Sequence, residues 1–358
     1  MLIGVDATAL VKNRTGVGNY IYEILSVLVK DKSNFFLLYS NSEIYFPDEE
    51  NVKKIVHSPY RKGPAWQNTQ LLRSLFIDKP DVYWGGNGYL PIFSPKKTKL
   101  VLTVHDLVYK YAGETMPFLS RLSRKYFQPL SVRRADKIVA VSQATGYEMQ
   151  INYGRKPDKI VHPQISSNYV TNVTSNHAYV EDKYGISDYM LTIGTLEPRK
   201  NMVTLIKAYL EVTKQGYSLP QLVIVGGKGW MQNELNSLVE SGVSKGVIRK
   251  LGYVPDEDLP LLYSCSKAFI LASTYEGFGM PVLEAQASGC PVIISNIPSM
   301  KEAANNVCCL FEPTIKSIAQ TLRKLERGEL PMSCRLKSDI LNDSGVASRI
   351  YLELMEES

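Results

Sequence analysis

Two glutamates eight positions apart, Glu276 and Glu284, are the side chains of this 358-residue chain best placed to do chemistry. They bracket the string Glu276-Gly-Phe-Gly-Met-Pro-Val-Leu-Glu284. Carboxylates set around a glycine turn can accept hydrogen bonds from neighbouring sugar hydroxyls, in pairs where the diol geometry allows. The free amides and dipole of a helix starting just after the turn favour a diphosphate. A plainer reading makes Glu276 an exposed loop acid and Glu284 a favourable first-turn charge.

The elements that must position these groups are legible around them. The apolar run ending at Ala272 reads as a buried strand. Gly277 and Gly279 leave the connection open, Pro281 suits a first helical turn, and Gly289 ends the helix two turns later. A strand, a glycine turn and a short helix place a ligand at the carboxyl end of a parallel sheet.

The same logic marks other loops. After the strand Met190–Ile193, Gly194-Thr195-Leu-Glu-Pro-Arg199-Lys200-Asn201 offers a diphosphate clamp at a helix start. Alone, Arg199 and Lys200 would more often be solvated surface charges. Val225-Gly226-Gly227-Lys-Gly229-Trp230 ends a strand in glycines that suit a base or phosphate. Tyr253 ends another strand, Ile248 to Tyr253, with backbone near it available to a nucleotide. Asp256-x-Asp258 reads as a helix cap, not as a metal pair.

In the first half, a strand from Leu2 to Val5 leads through Gly16-Val-Gly18 into a helix. This loop lacks the third glycine of a dinucleotide fingerprint, since Ile21 stands there. The strand Lys99–Val104 ends in His105-Asp106, and the strand before it runs into a glycine loop holding Asn87. Tyr109 and the run Arg121-Leu-Ser-Arg124-Lys125-Tyr126-Phe127 alternate basic and aromatic side chains on helices. Such a face suits either an anionic membrane or plain solvent.

Taken together, these strings resemble the retaining glycosyltransferases of family 4. Their donor-sugar signature is a Glu, a Gly-Phe-Gly-like turn, a Pro, and a second Glu eight positions on. The resemblance covers nearly the whole chain. It is most specific at 190–201 and 268–290, and looser before residue 100. It implies an α/β fold of GT-B architecture, with two Rossmann-like domains facing across a cleft and a C-terminal helix crossing back to the first. The expected domains are residues 1–170 (plus about 345–358) for the acceptor and 185–344 for the nucleotide sugar, with a linker at about 166–185. In that family, His105, Glu276, Arg199 and Lys200 correspond to catalytic positions. The nucleotide-sugar contacts correspond to Gly16, Gly18, Gly194, Thr195, Gly227, Tyr253, Gly277, Phe278, Gly279, Met280 and Glu284. Asn87, Asp106 and Tyr109 are expected to face the acceptor. The chain departs from the pattern at Thr195, where several relatives carry Arg, and at Lys301, where they carry Pro before the Glu that survives here as Glu302.

The implied reaction is metal-independent, retaining transfer of a hexose from a nucleotide-diphosphate sugar to a glycan or lipid-linked glycan of a surface polysaccharide. Mannose from GDP-mannose is the first expectation, and no cofactor is expected beyond the donor. Two other classes stay open: a nucleotide-dependent oxidoreductase, and an inactive sugar-nucleotide-binding protein.

Composition agrees with a globular enzyme, with 44% hydrophobic and 21% charged residues. No apolar run reaches the roughly 20 residues that span a bilayer, and the first residues read as a strand, not a signal peptide. The five cysteines lack zinc-ligand spacing and read as reduced, small apolar residues, pointing to the cytoplasm. Residues 1–180 hold 23 Lys+Arg against 14 Asp+Glu, while the whole chain is only +6. A basic first half suits peripheral contact with an anionic membrane at its inner face. No motif points to nucleic acid.

Overall fold

Short runs of β-branched and aromatic residues alternate with amphipathic helices along the chain. In the computed structural model the described residues are 1–57, 63–169, 175–194, 197–227, 233–331 and 344–357. The chain divides into one unit of Met1–Gln164 with Asn342–Ser358 and a second of Ile165–Leu341.

The first unit runs β1 (Leu2–Asp6), α1 (Gly16–Leu28), β2 (Phe35–Ser40), β3 (Val52–Val56), α2 (Gly63–Trp66), a π-helical turn (Gln67–Leu71), α3 (Leu72–Asp78), β4 (Val82–Gly85), β5 (Lys99–Val104), α4 (Val108–Tyr111), α5 (Phe118–Arg134), β6 (Lys137–Ala140), α6 (Gln143–Tyr153) and β7 (Lys159–Ile160). The second runs α7 (His177–Tyr184), β8 (Tyr189–Ile193), α8 (Met202–Lys214), β9 (Gln221–Val225), α9 (Asn233–Ser244), β10 (Ile248–Gly252), α10 (Leu259–Cys265), β11 (Ala268–Leu271), α11 (Met280–Ala287), β12 (Val292–Ser295), α12 (Pro298–Ala303), β13 (Cys309–Phe311) and α13 (Ile315–Glu326). The last described helix, α14 (Ser344–Glu356), belongs to the first unit.

All strand pairs are parallel. The orders are β3-β2-β1-β4-β5-β6-β7 and β10-β9-β8-β11-β12-β13. Each sheet grows one way for three strands, then returns to add the rest beside its first strand. The winding reverses between β1 and β4, paired at Ile3 and Val82, and between β8 and β11, paired at Met190 and Ala268. A doubly wound sheet opens its ligand crevice outside the carboxyl ends of the strands at such a point.

Helices on both faces explain why the central strands are continuous hydrophobic runs, as in the wholly buried β11. Helix α8 buries Met202, Leu205, Ile206, Tyr209 and Val212 at three- and four-residue spacing, and packs on α13. These side chains join Ile270 and Phe311 in the second core, each large one contributing about 1.5–3 kcal/mol by burial. The first core gathers Tyr39, Trp66, Leu75, Tyr83 and Leu102. Among the cysteines, Cys265, Cys290 and Cys309 are buried free thiols and Cys308 is partly buried, while Cys334 lies outside the described residues.

Two local expectations are corrected, and one strand is added to those read from the sequence. The stretch read as linker contains α7, capped by the Asn176 side chain on the Tyr179 amide and closed by left-handed Gly185. Its periodicity is short, but its Tyr179, Lys183 and Tyr184 side chains anchor it on Asp258. Asp256 does not cap the next helix. The chain turns twice more, Asp258 stands at the boundary of α10, and its carboxylate is taken by those α7 groups rather than by helix amides. Strand β3, Val-Lys-Lys-Ile-Val, escapes the sequence pattern because it is an edge strand with one flank in solvent.

Helix α14 packs against α1 and inserts Tyr351 into the first unit. The Tyr351 hydroxyl meets those of Tyr20 at 3.0 Å and Thr103 at 2.6 Å, and Trp84 donates its indole N–H to Thr103. Ser348 donates to the Ile24 carbonyl.

Candidate functional site

A dense polar cluster of the second unit lies at the winding reversal, where the loops after β8 and β11 meet. The first loop starts at Gly194, whose N–H donates to the Val225 carbonyl. Gly226 has φ of +146°, and a Cβ there would fall 2.0 Å from the Gly194 oxygen, so only glycine fits. One 3₁₀ turn, Pro198–Lys200, then presents Arg199 and Lys200, and left-handed Asn201 at φ 55° turns the chain into α8. Thr195 lies outside the described residues, as do Gly229 and Trp230.

Glu276 is the centre of the cluster. Lys200 Nζ donates to Oε1 at 2.6 Å and Arg199 donates to Oε2 at 2.7 Å. Ser273 adds a third donor to Oε1 at 2.8 Å, and Arg199 reaches Glu197 through Nε at 2.9 Å. The loops are also stitched through backbone, since the Thr274 amide donates to the Arg199 carbonyl. Ser299, at the start of α12, donates to the Glu276 carbonyl at 2.7 Å. The Lys200 and Glu276 side chains are each only 9% exposed. Burial pushes the Glu276 carboxyl up, but Lys200 and Arg199 overcome it and hold the group down at about 2. Glu276 therefore carries its charge at any working pH and fixes both cations in place.

Glu284 meets the opposite environment. Gly279, at φ +114°, precedes α11, and Glu284 occupies that helix's fifth position. Its Oε2 accepts from the buried Tyr263 hydroxyl at 3.0 Å. Burial pushes its carboxyl up to about 7; the Tyr263 hydrogen bond and the charge of Lys200 oppose this, and the charge of Asp256 adds to it. Two carboxylates eight residues apart thus differ in charge near neutral pH, one fully ionised and the other partly protonated. Beside them Phe278 is buried, while Gly277 and Met280 are partly exposed. Gly227 is exposed, and Tyr253 lies 66% exposed just beyond β10.

In the first unit, His105 and Asp106 follow β5 as expected. His105 Nε2 donates to the Gly86 carbonyl at 2.7 Å, which fixes the tautomer and leaves Nδ1 as the acceptor nitrogen. Burial lowers its pKa, so the neutral ring is favoured. The Tyr20 ring stands edge-on to it at 5.2 Å. Asp106 is engaged by Arg124 at 2.8 Å and by the Val108 amide. Asn87 donates to Thr8, which donates to the buried Asp6. Tyr109 is buried, with its hydroxyl against that of Tyr153. Gly18 is packed under Ala9, where a Cβ would lie 2.4 Å from the carbonyl oxygen; Gly16 is exposed at the start of α1.

Arg199, Lys200 and Glu276 are thus in direct contact, with Glu284 close enough to feel Lys200. Sequence reasoning missed Ser273, Ser299, Tyr263 and Glu197, which hold that set in position. Ser273 lies three residues before Glu276, but single serines and tyrosines carry no spacing signal. Among the described residues no three His, Cys, Asp or Glu side chains cluster to hold a metal ion.

Two parallel sheets of Rossmann order define a GT-B molecule. The fold matches WaaG, a glycosyltransferase involved in lipopolysaccharide biosynthesis (TM-score 0.73, 16% identity, 100% of both chains). It also matches Anabaena Alr3699/HepE, solved with UDP and glucose (TM-score 0.70, 16% identity, 99% of this chain and 98% of that one). In sequence, the chain is 36% identical over 240 residues to Escherichia coli O-antigen chain mannosyltransferase B, covering 66% of this chain and 62% of that protein. It is 27% identical over 227 residues to Salmonella typhimurium O-antigen chain mannosyltransferase RfbU, covering 63% and 60%. The matches thus span about three fifths of these relatives. The family model for glycosyl transferases group 1 matches residues 178–339, and that for glycosyltransferase family 4 matches 14–162. The chain belongs to the glycosyltransferases of group 1 and family 4.

Proposed function

We propose that this protein transfers a mannosyl residue, with retention and without a metal, from GDP-mannose to a glycan or lipid-linked glycan in O-antigen assembly. The observation that carries the proposal is the Arg199–Glu276–Lys200 cluster beside Glu284, at the winding reversal of the second sheet. Glu284 would accept the ribose hydroxyls, and Glu276 with the Gly277–Gly279 turn would accept those of the sugar. Arg199 and Lys200 would carry the charge growing on the leaving diphosphate, an electrostatic term typically worth about 3 kcal/mol per donor. Held by Glu276 before any ligand arrives, they need no reorganisation as that charge develops. His105 would take a sugar hydroxyl proton on Nδ1 as a hydrogen-bond acceptor. We assign no covalent nucleophile. The mannosyltransferase names of the sequence relatives support the choice of sugar.

We also place the enzyme in the cytoplasm, touching the anionic inner face of the membrane through its basic first unit. No helix among the described residues is long and apolar enough to cross a bilayer.

A thermal-shift panel of UDP, GDP, ADP and dTDP with their common sugars, run in EDTA and repeated on Glu284→Ala, tests the donor site. A ligand at 100 times its Kd adds about 2.7 kcal/mol to apparent stability. Stabilisation by GDP-mannose in the wild type only is the expected result. Stabilisation by NAD(P) alone would move the protein to the oxidoreductases. Silence from every nucleotide would sink the donor assignment. Product anomeric configuration, read by NMR, tests retention.

A further inference from the structure

The first unit holds a cavity of about 560 Å³ where α4, one side of α5 from Phe118 to Arg133 and the end of α6 meet. Four cations line it, Lys110, Arg121, Lys125 and Arg133, beside Phe118 and Leu122, and no acidic side chain does. All four cations are exposed, and none makes an ion pair among the described residues. Helix α5 as a whole carries five Lys or Arg and no Asp or Glu.

The same helix has apolar residues where a solvated helix would carry polar ones. Phe118, Leu122, Tyr126 and Leu130 recur every four residues, so they form one stripe along its axis. Phe118 is 74% exposed and its neighbour Leu119 is 77% exposed. Tyr147 and Ile151 of α6 are exposed as well. Exposed apolar side chains of this number on adjoining helices mark a contact surface. Their intermixing with unpaired cations selects an anionic, apolar partner over water or a neutral protein face.

We propose that this face docks on an anionic phospholipid bilayer, with the α5 stripe at the headgroup–acyl boundary and a lipid phosphate held by the cations of the cavity. The docking deepens the membrane placement proposed above and gives it a residue-level site. Through the Arg124–Asp106 ion pair, α5 is tied to the residue that follows His105. A bilayer-borne acceptor would therefore be delivered beside the end of β5.

Vesicle flotation tests this without donor or turnover, so its failure and that of the transferase assignment are distinguishable. The intact protein is mixed with phosphatidylcholine vesicles with and without phosphatidylglycerol, at low and high salt. Binding to the anionic vesicles only, weakened by salt, is expected. Arg121→Ser with Lys125→Ser should lower affinity about twenty-five-fold, from about fivefold per cation. Phe118→Ser with Leu122→Ser should weaken binding at both salt levels. All four side chains line the outside of the fold, and an unchanged thermal midpoint of the protein alone confirms that each variant is folded. Equal binding to both vesicle types, no binding, or full binding by the charge variant would overturn the proposal. So would capture of inorganic phosphate by a protein that ignores vesicles.

Discussion

Glu276 already has two cations before any ligand arrives, and that pairing sets its response to substitution. Glu276→Gln keeps the shape but leaves Lys200 and Arg199 without their anion. Breaking a buried pair from one side costs about 3–5 kcal/mol, so the thermal midpoint should fall markedly. A nucleoside diphosphate supplies a replacement anion, so GDP should raise the midpoint more in the variant than in the wild type. An equal or smaller rise would mean that the cations do not meet the diphosphate. Turnover should drop about a hundredfold or more. Glu284 behaves oppositely. Its folded carboxyl is raised from 4.5 to about 7, so the folded state holds the extra proton between those values. The stability this contributes is present below about 4.5 and is lost as pH rises through 7. Ribose hydroxyls donate to the ionised form, so nucleotide affinity should rise with pH up to about 7 and then level off. Calorimetric titration from pH 5.5 to 8 should show this slope in the wild type and not in Glu284→Gln; a slope kept by the variant would place the titration elsewhere. The spacing of the two glutamates was readable from the chain because a strand, a turn and a helix start fix it locally. Their pairing was not, because Arg199, Ser299 and Tyr263 reach them only through tertiary contacts, and the expected division of labour, acid to sugar and bases to diphosphate, gave no hint that the three share one cluster.

The return of helix α14 to the first unit was expected from the sequence, but the contacts it makes there are visible only in the fold. Tyr351 joins α14 to the β5 residue Thr103 and to Tyr20, and the Tyr20 ring abuts His105. Tyr351→Phe removes one hydroxyl from two buried partners, and the expected loss is about 1–3 kcal/mol in chemical denaturation. Turnover should fall while donor affinity, measured by calorimetry, stays the same; unchanged turnover would show that His105 does not depend on this contact. Strands and helices of the second unit were readable because parallel strands buried on both faces leave unbroken apolar runs between glycine turns. Helix α7 was hidden in a polar stretch, since its stability comes from Asp258, more than seventy positions away. The corrected cap has the same origin: Asp256 has the right side chain, but the chain turns again before α10 begins.

At the scale of the molecule, each unit has its own sheet and core, and the residues proposed to hold the donor, Arg199, Lys200, Glu276 and Glu284, all fall in the second. Amide exchange should therefore slow on GDP-mannose binding at residues 197–201 and 273–284. Protection confined to the Gly16–Gly18 loop would move the nucleotide to the first sheet. The net charges of the two halves, +9 and −3, were countable from the chain, whereas the cavity that uses the positive charge depended on how α4, α5 and α6 come together. The borders of the sheets carry a different consequence. On one side each sheet ends in a strand with adjacent basic residues, Lys53-Lys54 in β3 and Arg249-Lys250 in β10; on the other it ends in a stub of two or three residues, β7 or β13. Charge and brevity both deny an incoming strand a template. Copies brought to high local density can therefore collide edge to edge without zipping into fibrils, so crowding by itself does not carry an amyloid hazard.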